Sequence, residues 1–199
     1  MAAASSAAHQ AVDAALAAWR QGDIVLGEDL FFVQLADLAR PITREAAETA
    51  KERGSDEATP DIGAVFSEVA GFVILTQTCD VVRESAERPY LDVAPLVPVS
   101  AERLEEVRAL RRPASAFVPA AAPHKLVADL DRVMTVEKSV VATWLRTPGW
   151  TDDEEIRAFA EALARKAARF AFPDDFVEDC GFQRIPATYS NLMAATVPT

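Results

Sequence analysis

The stretch that most constrains the fold of this chain is residues 71–80, which read GFVILTQTCD. Residues 72–76 form an unbroken run of apolar or β-branched side chains, and a short run of this kind predicts a buried strand. Four small polar or thiol side chains follow at once: Gln77, Thr78, Cys79 and Asp80. Because the end of a strand can present such groups at the edge of a sheet, the sequence places a candidate functional site here.

The charge balance limits the partners of the chain. The formal net charge is −11 and the pI is about 4.7, whereas neutralisation of phosphates by basic side chains supplies most non-specific affinity for nucleic acid. We therefore expect RNA binding only through a local basic patch, and no attraction to membrane surfaces. The candidate basic residues are Arg83, Arg88, Arg103, Arg108, Arg111, Arg112, Lys125, Arg132 and Lys138. The simpler interpretation is an ordinary solvated surface with local ion pairs.

The sequence does not predict a membrane-spanning, secreted, disulfide-bonded or metal-binding protein. No apolar run approaches the ~18 residues of a spanning helix, and the Ala-rich N-terminus has no basic region before it, which argues against a secretory signal. Two cysteines, Cys79 and Cys180, do not make a disulfide framework. No Cys or His pair has the spacing of metal ligands. The sequence thus predicts a cytoplasmic protein without metal or other cofactor.

The first third of the chain predicts a helix, two strands and an insertion. Residues 2–20 carry Val12, Leu16 and Trp19 on one helical face, which packs either on the core or on a partner. Strands are predicted at residues 24–26 and 31–35. Residues 36–63 are interpreted as an insertion with one helix, which Thr43 caps and Gly54 ends. That helix has only alanines to bury, so we expect it to be solvated.

The middle of the chain predicts more strands and short helices. Residues 90–99 have strand character, but Pro95 and Pro98 cannot donate to a ladder, which predicts an edge strand or a bend. A helix capped by Ser100 follows. Strand signals return within residues 125–136, and a helical turn begins at Lys138.

The C-terminal part begins after a break at residues 147–149, which Trp144 and Trp150 flank. A helix is predicted over residues 151–170, with Thr151 and Glu154 at capping-box spacing. Its apolar face consists of Ile156, Phe159, Leu163, Ala167 and Phe170. This face either completes the core or contacts a partner. The predicted organisation is a helix at 1–20, a central unit at 21–146 and a helical extension at 147–199.

Four segments, in order, resemble the PemK/MazF/Kid group of toxins. Residues 21–25 (QGDIV) are similar to the opening GDIV of that group, and residues 70–76 (AGFVILT) to its RPxLVLS strand. Residues 92–96 (DVAPL) are similar to a strand that ends in proline. Residues 130–140 (LDRVMTVEKSV) resemble the segment LDQIRTVDKSRL, which is the most specific match.

The resemblance implies an α+β fold: a small SH3-like β-barrel with a helical insertion and appended N- and C-terminal helices. The Ser or Thr that ends the family's third strand matches Thr76. The family's catalytic arginine, however, matches the Ala70-Gly71 positions, and a second family arginine matches Met134. A metal-free ribonuclease needs a base for the 2′-hydroxyl and a cation for the phosphate. The missing arginines therefore argue against cleavage of the family's type.

Two main hypotheses about function follow. In the first, a divergent, non-catalytic barrel binds another protein chain, either an assembly partner or a second copy of itself, as a component of a toxin–antitoxin or phage-defence assembly. In the second, a toxin-like endoribonuclease uses a rearranged site around residues 76–80, with Thr76, Asp80 and Cys79 as catalytic candidates. The candidate binding residues are Gln77, Thr78, Cys79, Asp80, Arg83, Arg132 and Lys138.

A third hypothesis is thiol chemistry at Cys79, with Asp80 as the orienting acid and either His9 or His124 as the base. A neighbouring carboxylate raises the pKa of a thiol rather than lowering it. The simpler interpretation is therefore a small packed residue at a strand end, with Thr78 and Asp80 capping the turn.

Overall fold

A computed structural model describes residues 2–56 and 59–168 as a mixed α+β fold with antiparallel sheets. The first elements are α1 (Ala2–Leu16), β1 (Ile24–Leu26), β2 (Phe31–Asp37), α2 (Arg44–Arg53), β3 (Ile62–Glu68), β4 (Gly71–Ile74) and α3 (Thr78–Val81). They are followed by β5 (Tyr90–Pro98), α4 (Ala101–Arg108), β6 (Ser115–Ala116), a 3-10 helix (Pro119–His124), β7 (Leu126–Asp129), β8 (Met134–Glu137), α5 (Lys138–Val141) and α6 (Asp153–Ala167).

The strands form one large sheet and one ribbon. The large sheet has six strands in the order β1-β4-β5-β7-β6, and β8 also pairs with β5. The other two strands, β2 and β3, form a separate antiparallel ribbon. The hydrogen-bonded strands within the described ranges do not close into a barrel.

Strand β5 lies in the middle of the large sheet, so of the two predicted alternatives, an edge strand or a bend at the prolines, the edge strand is wrong. One side of β5 pairs with β4, while the other side pairs first with β8 (residues 90–93) and then with β7 (residues 96–98). Pro95 falls between these two neighbours. Its missing N–H therefore costs little there, because the partner strand changes at that point.

The ribbon has an inner and an outer face. Phe32 and Val65 are buried on the inner face. Side chains alternate along a strand, so the residues at the odd positions of β2 and the even positions of β3 share the outer face. The large apolar side chains that the outer face exposes are Phe31, Val33, Leu35, Ile62 and Phe66.

Helix α2 has the predicted caps but not the predicted environment. The Thr43 side chain accepts from the N–H of Ala46, and Gly54 ends the helix in the left-handed conformation. Ala46 and Ala50 are buried, and the helix packs against Leu38 and Val65. The expectation of a solvated helix is therefore wrong, because alanines allow the helix to approach the inner face of the ribbon closely. The predicted insertion at 36–63 begins inside β2 and ends inside β3.

Apolar clusters cover both faces of the large sheet. Leu16 and Trp19, at the end of α1 and just after it, pack with Phe72 on one face. Phe159 of α6 packs with Val73 and Leu96 on the other face. Both α1 and α6 therefore contribute to the core, which is one of the two alternatives predicted for each helix.

The start of α6 differs from the predicted capping box. Asp152 is the N-cap, and its carboxylate accepts from the N–H groups of Glu154 and Glu155 at 2.9 Å. The carboxylate of Glu155 in turn accepts from the N–H of Thr151 at 2.7 Å. An aspartate one position later is the better acceptor for the helix terminus. Phe170 and Cys180 lie outside the described residues.

Candidate functional site at the end of β4

The hydroxyl of Thr76 belongs to a hydrogen-bond chain that joins three segments. Its Oγ1 accepts from the backbone N–H of Asp92 at 2.7 Å. The Oδ1 atom of Asp92 then accepts from the hydroxyl of Thr135 at 2.8 Å. Thr76 thus fixes the start of β5 against the end of β4, and its oxygen already serves as an acceptor inside the fold.

Thr78 and Gln77 have different environments. The Oγ1 atom of Thr78 accepts from the N–H of Gln21 at 3.1 Å, and the Gln21 side chain donates to the carbonyl of Leu75 at 2.6 Å. These bonds hold the segment before β1 against α3. Gln77, in contrast, is exposed. Of the predicted polar rim, Thr78 is therefore a structural residue, while Gln77 remains accessible.

Lys138 is a buried cation that sequence reasoning placed among the binding residues. Its side chain is 1% exposed, and Nζ donates to the carbonyls of Asp80 at 3.0 Å and Arg83 at 2.6 Å. Burial lowers the pKa of Lys138 from its ordinary value of 10.5, although the carboxylates of Asp13 and Asp80 oppose that shift. The ammonium group thus holds the backbone after α3 and faces away from solvent.

The pKa of Lys138 predicts a pH dependence of stability. Between the lowered pKa and the ordinary value, the unfolded chain binds more protons than the folded protein, so the free energy of unfolding rises with pH. The Lys138→Met variant lacks this titration. We expect the wild type to gain stability relative to Lys138→Met as the pH rises toward the ordinary lysine pKa of 10.5, measured by chemical denaturation.

An exposed lysine provides the control for this pH dependence. Lys51→Met removes a solvated ammonium group from α2 and should leave the pH profile of the wild type unchanged. Parallel profiles for the wild type and Lys138→Met would contradict the prediction.

Asp80 and Cys79 are the remaining catalytic candidates at this site. The Asp80 carboxylate pairs with Arg83 at 3.4 Å. Cys79 is exposed, and its Sγ lies 3.8 Å from Oε1 of Gln77, an amide oxygen that cannot take a proton from a thiol at neutral pH. His124 ends the 3-10 helix next to β7, which pairs with the opposite end of β5 from Asp92. Cys79 is exposed, unlike the small packed residue that the simpler interpretation predicted, and the short helix that holds it has no side-chain N-cap.

Four of the nine basic candidates belong to local ion pairs. Arg83, Arg108, Arg112 and Arg132 each pair with a carboxylate that lies within six residues of them in sequence. Arg132 lies in the turn between β7 and β8, with its guanidinium carbon 5.6 Å from the centroid of the Phe32 ring. This arrangement favours the ordinary-surface interpretation over a phosphate-binding track.

Asp23 is a buried polar residue that the sequence analysis did not single out. Its side chain is 1% exposed, and its Oδ2 atom contacts Nε of Arg146 at 2.5 Å. Oδ2 also accepts from the N–H of Arg20 at 2.7 Å, and Oδ1 accepts from the N–H of Gly149 at 3.3 Å. The Gly-Asp pair before a strand was visible in the sequence, but its partners could not be found from spacing. We call this set of contacts the Asp23 junction.

A wide groove borders the outer face of the ribbon. Its volume is about 670 Å³, and its lining includes Phe31, Val33, Phe72, Val133 and Val140. Phe31 and Val33 belong both to the groove and to the outer face, so the two form one continuous apolar surface. This surface was not predicted from the sequence.

Comparison with known proteins gives no assignment: no family model, no curated protein and no solved structure matches the chain. In the part of the chain that the structure describes, no three His, Cys, Asp or Glu side chains converge in a way that could hold a metal ion. None of the helices described above is long and apolar enough to cross a membrane.

Proposed function

We propose that this chain is a non-catalytic binding protein that works as a component of a toxin–antitoxin or phage-defence assembly, on a divergent PemK/MazF-like framework. The observation that carries the proposal is the apolar outer face of the ribbon. Leu35 is 77% exposed, Phe66 64% and Ile62 63%. A large contiguous apolar patch on a protein surface usually marks an interaction site.

The positions of the four similar segments support the proposed PemK/MazF-like framework. They correspond to β1, β4, β5 and β8, which are adjacent in the large sheet. The ribbon lies against this group, since the N–H of Val33 contacts the Sδ atom of Met134 at 3.3 Å. Under the proposal, the sheet and ribbon together are an opened relative of the SH3-like barrel.

The contacts of the polar side chains after β4 support the proposal that the protein is not a catalyst. Thr76 and Thr78 accept backbone N–H groups, and Lys138 donates to backbone carbonyls. Asp80 is paired with Arg83. A general base must reach the proton that it removes, and these groups point to partners within the fold.

The test combines an activity assay with a binding assay on the full chain. We expect no cleavage of mixed RNA by the wild type. Cleavage that is lost in both Thr76→Ala and Asp80→Ala would overturn the proposal and establish the endoribonuclease alternative. In the binding assay, the purified products of the neighbouring genes are titrated against the protein by calorimetry.

Matched variants localise the binding. The double variant Leu35→Ser, Phe66→Ser should weaken partner binding by at least about 2 kcal/mol, since each loses buried apolar area in the complex. Leu145→Ser is the control, because Leu145 is 83% exposed and lies outside the ribbon. Equal loss in the double variant and the control would contradict a role for the outer face.

A further inference from the structure

Strand β3 has an unpaired edge. Among the described strands, its single hydrogen-bonded neighbour is β2. The N–H of Leu38 donates to the carbonyl of Asp61 at 2.7 Å, and the N–H of Val69 donates to the carbonyl of Leu30 at 2.9 Å. Backbone groups alternate in direction along an antiparallel strand. The odd-numbered residues of β3 therefore bond to β2, and the even-numbered residues turn their N–H and C=O groups to the free edge.

The free edge carries a ladder that can accept another strand. Its N–H and C=O groups come from Ile62, Ala64, Phe66 and Glu68. The opposite edge of the ribbon is less accessible, because Val33 of β2 contacts Met134 of β8. Exposed edges of this kind are the template for strand addition by a peptide.

An acidic groove runs along this free edge. Its volume is about 280 Å³, and it is lined by Glu45, Glu48 and Glu52 of α2 and by residues 66–68 of β3. The three glutamates have helical spacings of three and four residues, which places them on one face. Glu68 adds a fourth carboxylate. Arg44 pairs with Glu48, but the other three carboxylates leave the groove with a negative charge.

The apolar outer face lies on the other side of the same edge. Phe66 and Ile62 belong to this face. A strand added to β3 would place alternate side chains beside these apolar groups and the intervening side chains beside the glutamates. The chemistry that fits both sides is an alternation of apolar and basic residues.

We propose that the free edge of β3 binds an extended segment of a partner protein in which apolar residues alternate with lysine or arginine. This inference rests on the proposed function and names the class of partner. A second copy of this chain is disfavoured as the occupant, because two acidic grooves would face each other on chains with a net charge of −11. Nucleic acid is disfavoured for the same electrostatic reason.

The probe is a short synthetic peptide of alternating valine and lysine, capped at both ends and carrying a fluorophore. Binding to the full chain is measured by anisotropy at low and physiological salt. We expect saturable binding that weakens with salt, together with increased protection of the Ala64 and Phe66 amides from hydrogen exchange. A peptide of alternating valine and glutamate should not bind.

Charge-matched variants test the groove. A triple variant with Glu45→Gln, Glu48→Gln and Glu52→Gln should bind the peptide about tenfold more weakly. Each exposed ion pair contributes little to the binding free energy alone, but the three contributions add. The control replaces Glu102, Glu105 and Glu106 of α4 with glutamine, which changes the net charge equally on a helix that packs against β7 instead of β3. It should change the affinity less than about twofold.

Ala64→Pro tests the ladder. Proline removes an N–H at the free edge and leaves every bond to β2 in place, so binding should be lost while the unfolding transition is retained. Three results would overturn the inference. They are an equal loss of peptide affinity in the two triple-glutamine variants, protection of amides on another surface, and an unchanged peptide affinity in Ala64→Pro.

The same experiments separate this inference from the proposed function. If the peptide fails to bind but the Leu35→Ser, Phe66→Ser variant still loses its partner protein, the edge inference is overturned and the binding function stands. RNA cleavage that depends on Thr76 and Asp80 would instead overturn the proposed function.

Discussion

Replacing Asp23 with alanine should lower the free energy of unfolding by about 3 kcal/mol. The carboxylate is 1% exposed and contacts Nε of Arg146. Its loss leaves a half-buried guanidinium and the N–H groups of Arg20 and Gly149 without their acceptor. Urea denaturation of the purified variant measures the change.

An exposed ion pair gives the matched control. Glu48→Ala removes the contact with Arg44 on the surface of α2 and should cost less than about 0.5 kcal/mol. The variant Arg146→Met, combined with Asp23→Ala, should be less destabilised than the sum of the two single variants, because the removed partners are shared. Additive losses would show that the junction does not act as a unit.

Gly149→Ala should destabilise the protein by about 3 kcal/mol, at the upper end of the usual cost of overpacking. A Cβ atom there would lie 1.8 Å from the carbonyl oxygen of Gly22 and 2.7 Å from its carbonyl carbon. Both atoms belong to the backbone, so no rotamer change can relieve the overlap. The melting temperature and urea midpoint should fall together.

The control for this variant is Gly27→Ala. A Cβ atom at position 27 would meet only Cδ1 of Leu30, at 3.9 Å, which is ordinary contact. We expect a change within about 1 kcal/mol. A Gly149→Ala protein as stable as Gly27→Ala would show that the segments around Gly22 and Gly149 can separate without cost.

Local sequence signals predicted much of the secondary structure. The Thr43 and Gly54 caps of α2 and the apolar run of β4 were visible because their partners are near in sequence or because the run is continuous. The position of β5 was not predictable from its prolines. Pro95 is tolerated inside the sheet only because two other strands meet beside it, which is a property of the tertiary arrangement.

The candidate site was only partly predictable. The polar cluster after β4 was found, but the roles of its members depend on distant segments. Thr78 bonds to Gln21 across 57 residues, and Lys138 bonds to Asp80 across 58 residues. The outer face of the ribbon was missed because the alternation of β2 and β3 leaves apolar residues on both faces, and the sequence does not state which face the core covers.

The Asp23 junction affects how the protein unfolds. It joins the turn that follows α1 to the segment that precedes α6, across 126 residues. Segments outside the core of a fold can open locally before the core unfolds. Here a single carboxylate anchors the connections of both helices, although they cover opposite faces of the sheet. We therefore expect α1, α6 and the sheet to unfold together in one cooperative transition. Neither helix should unfold separately before the sheet.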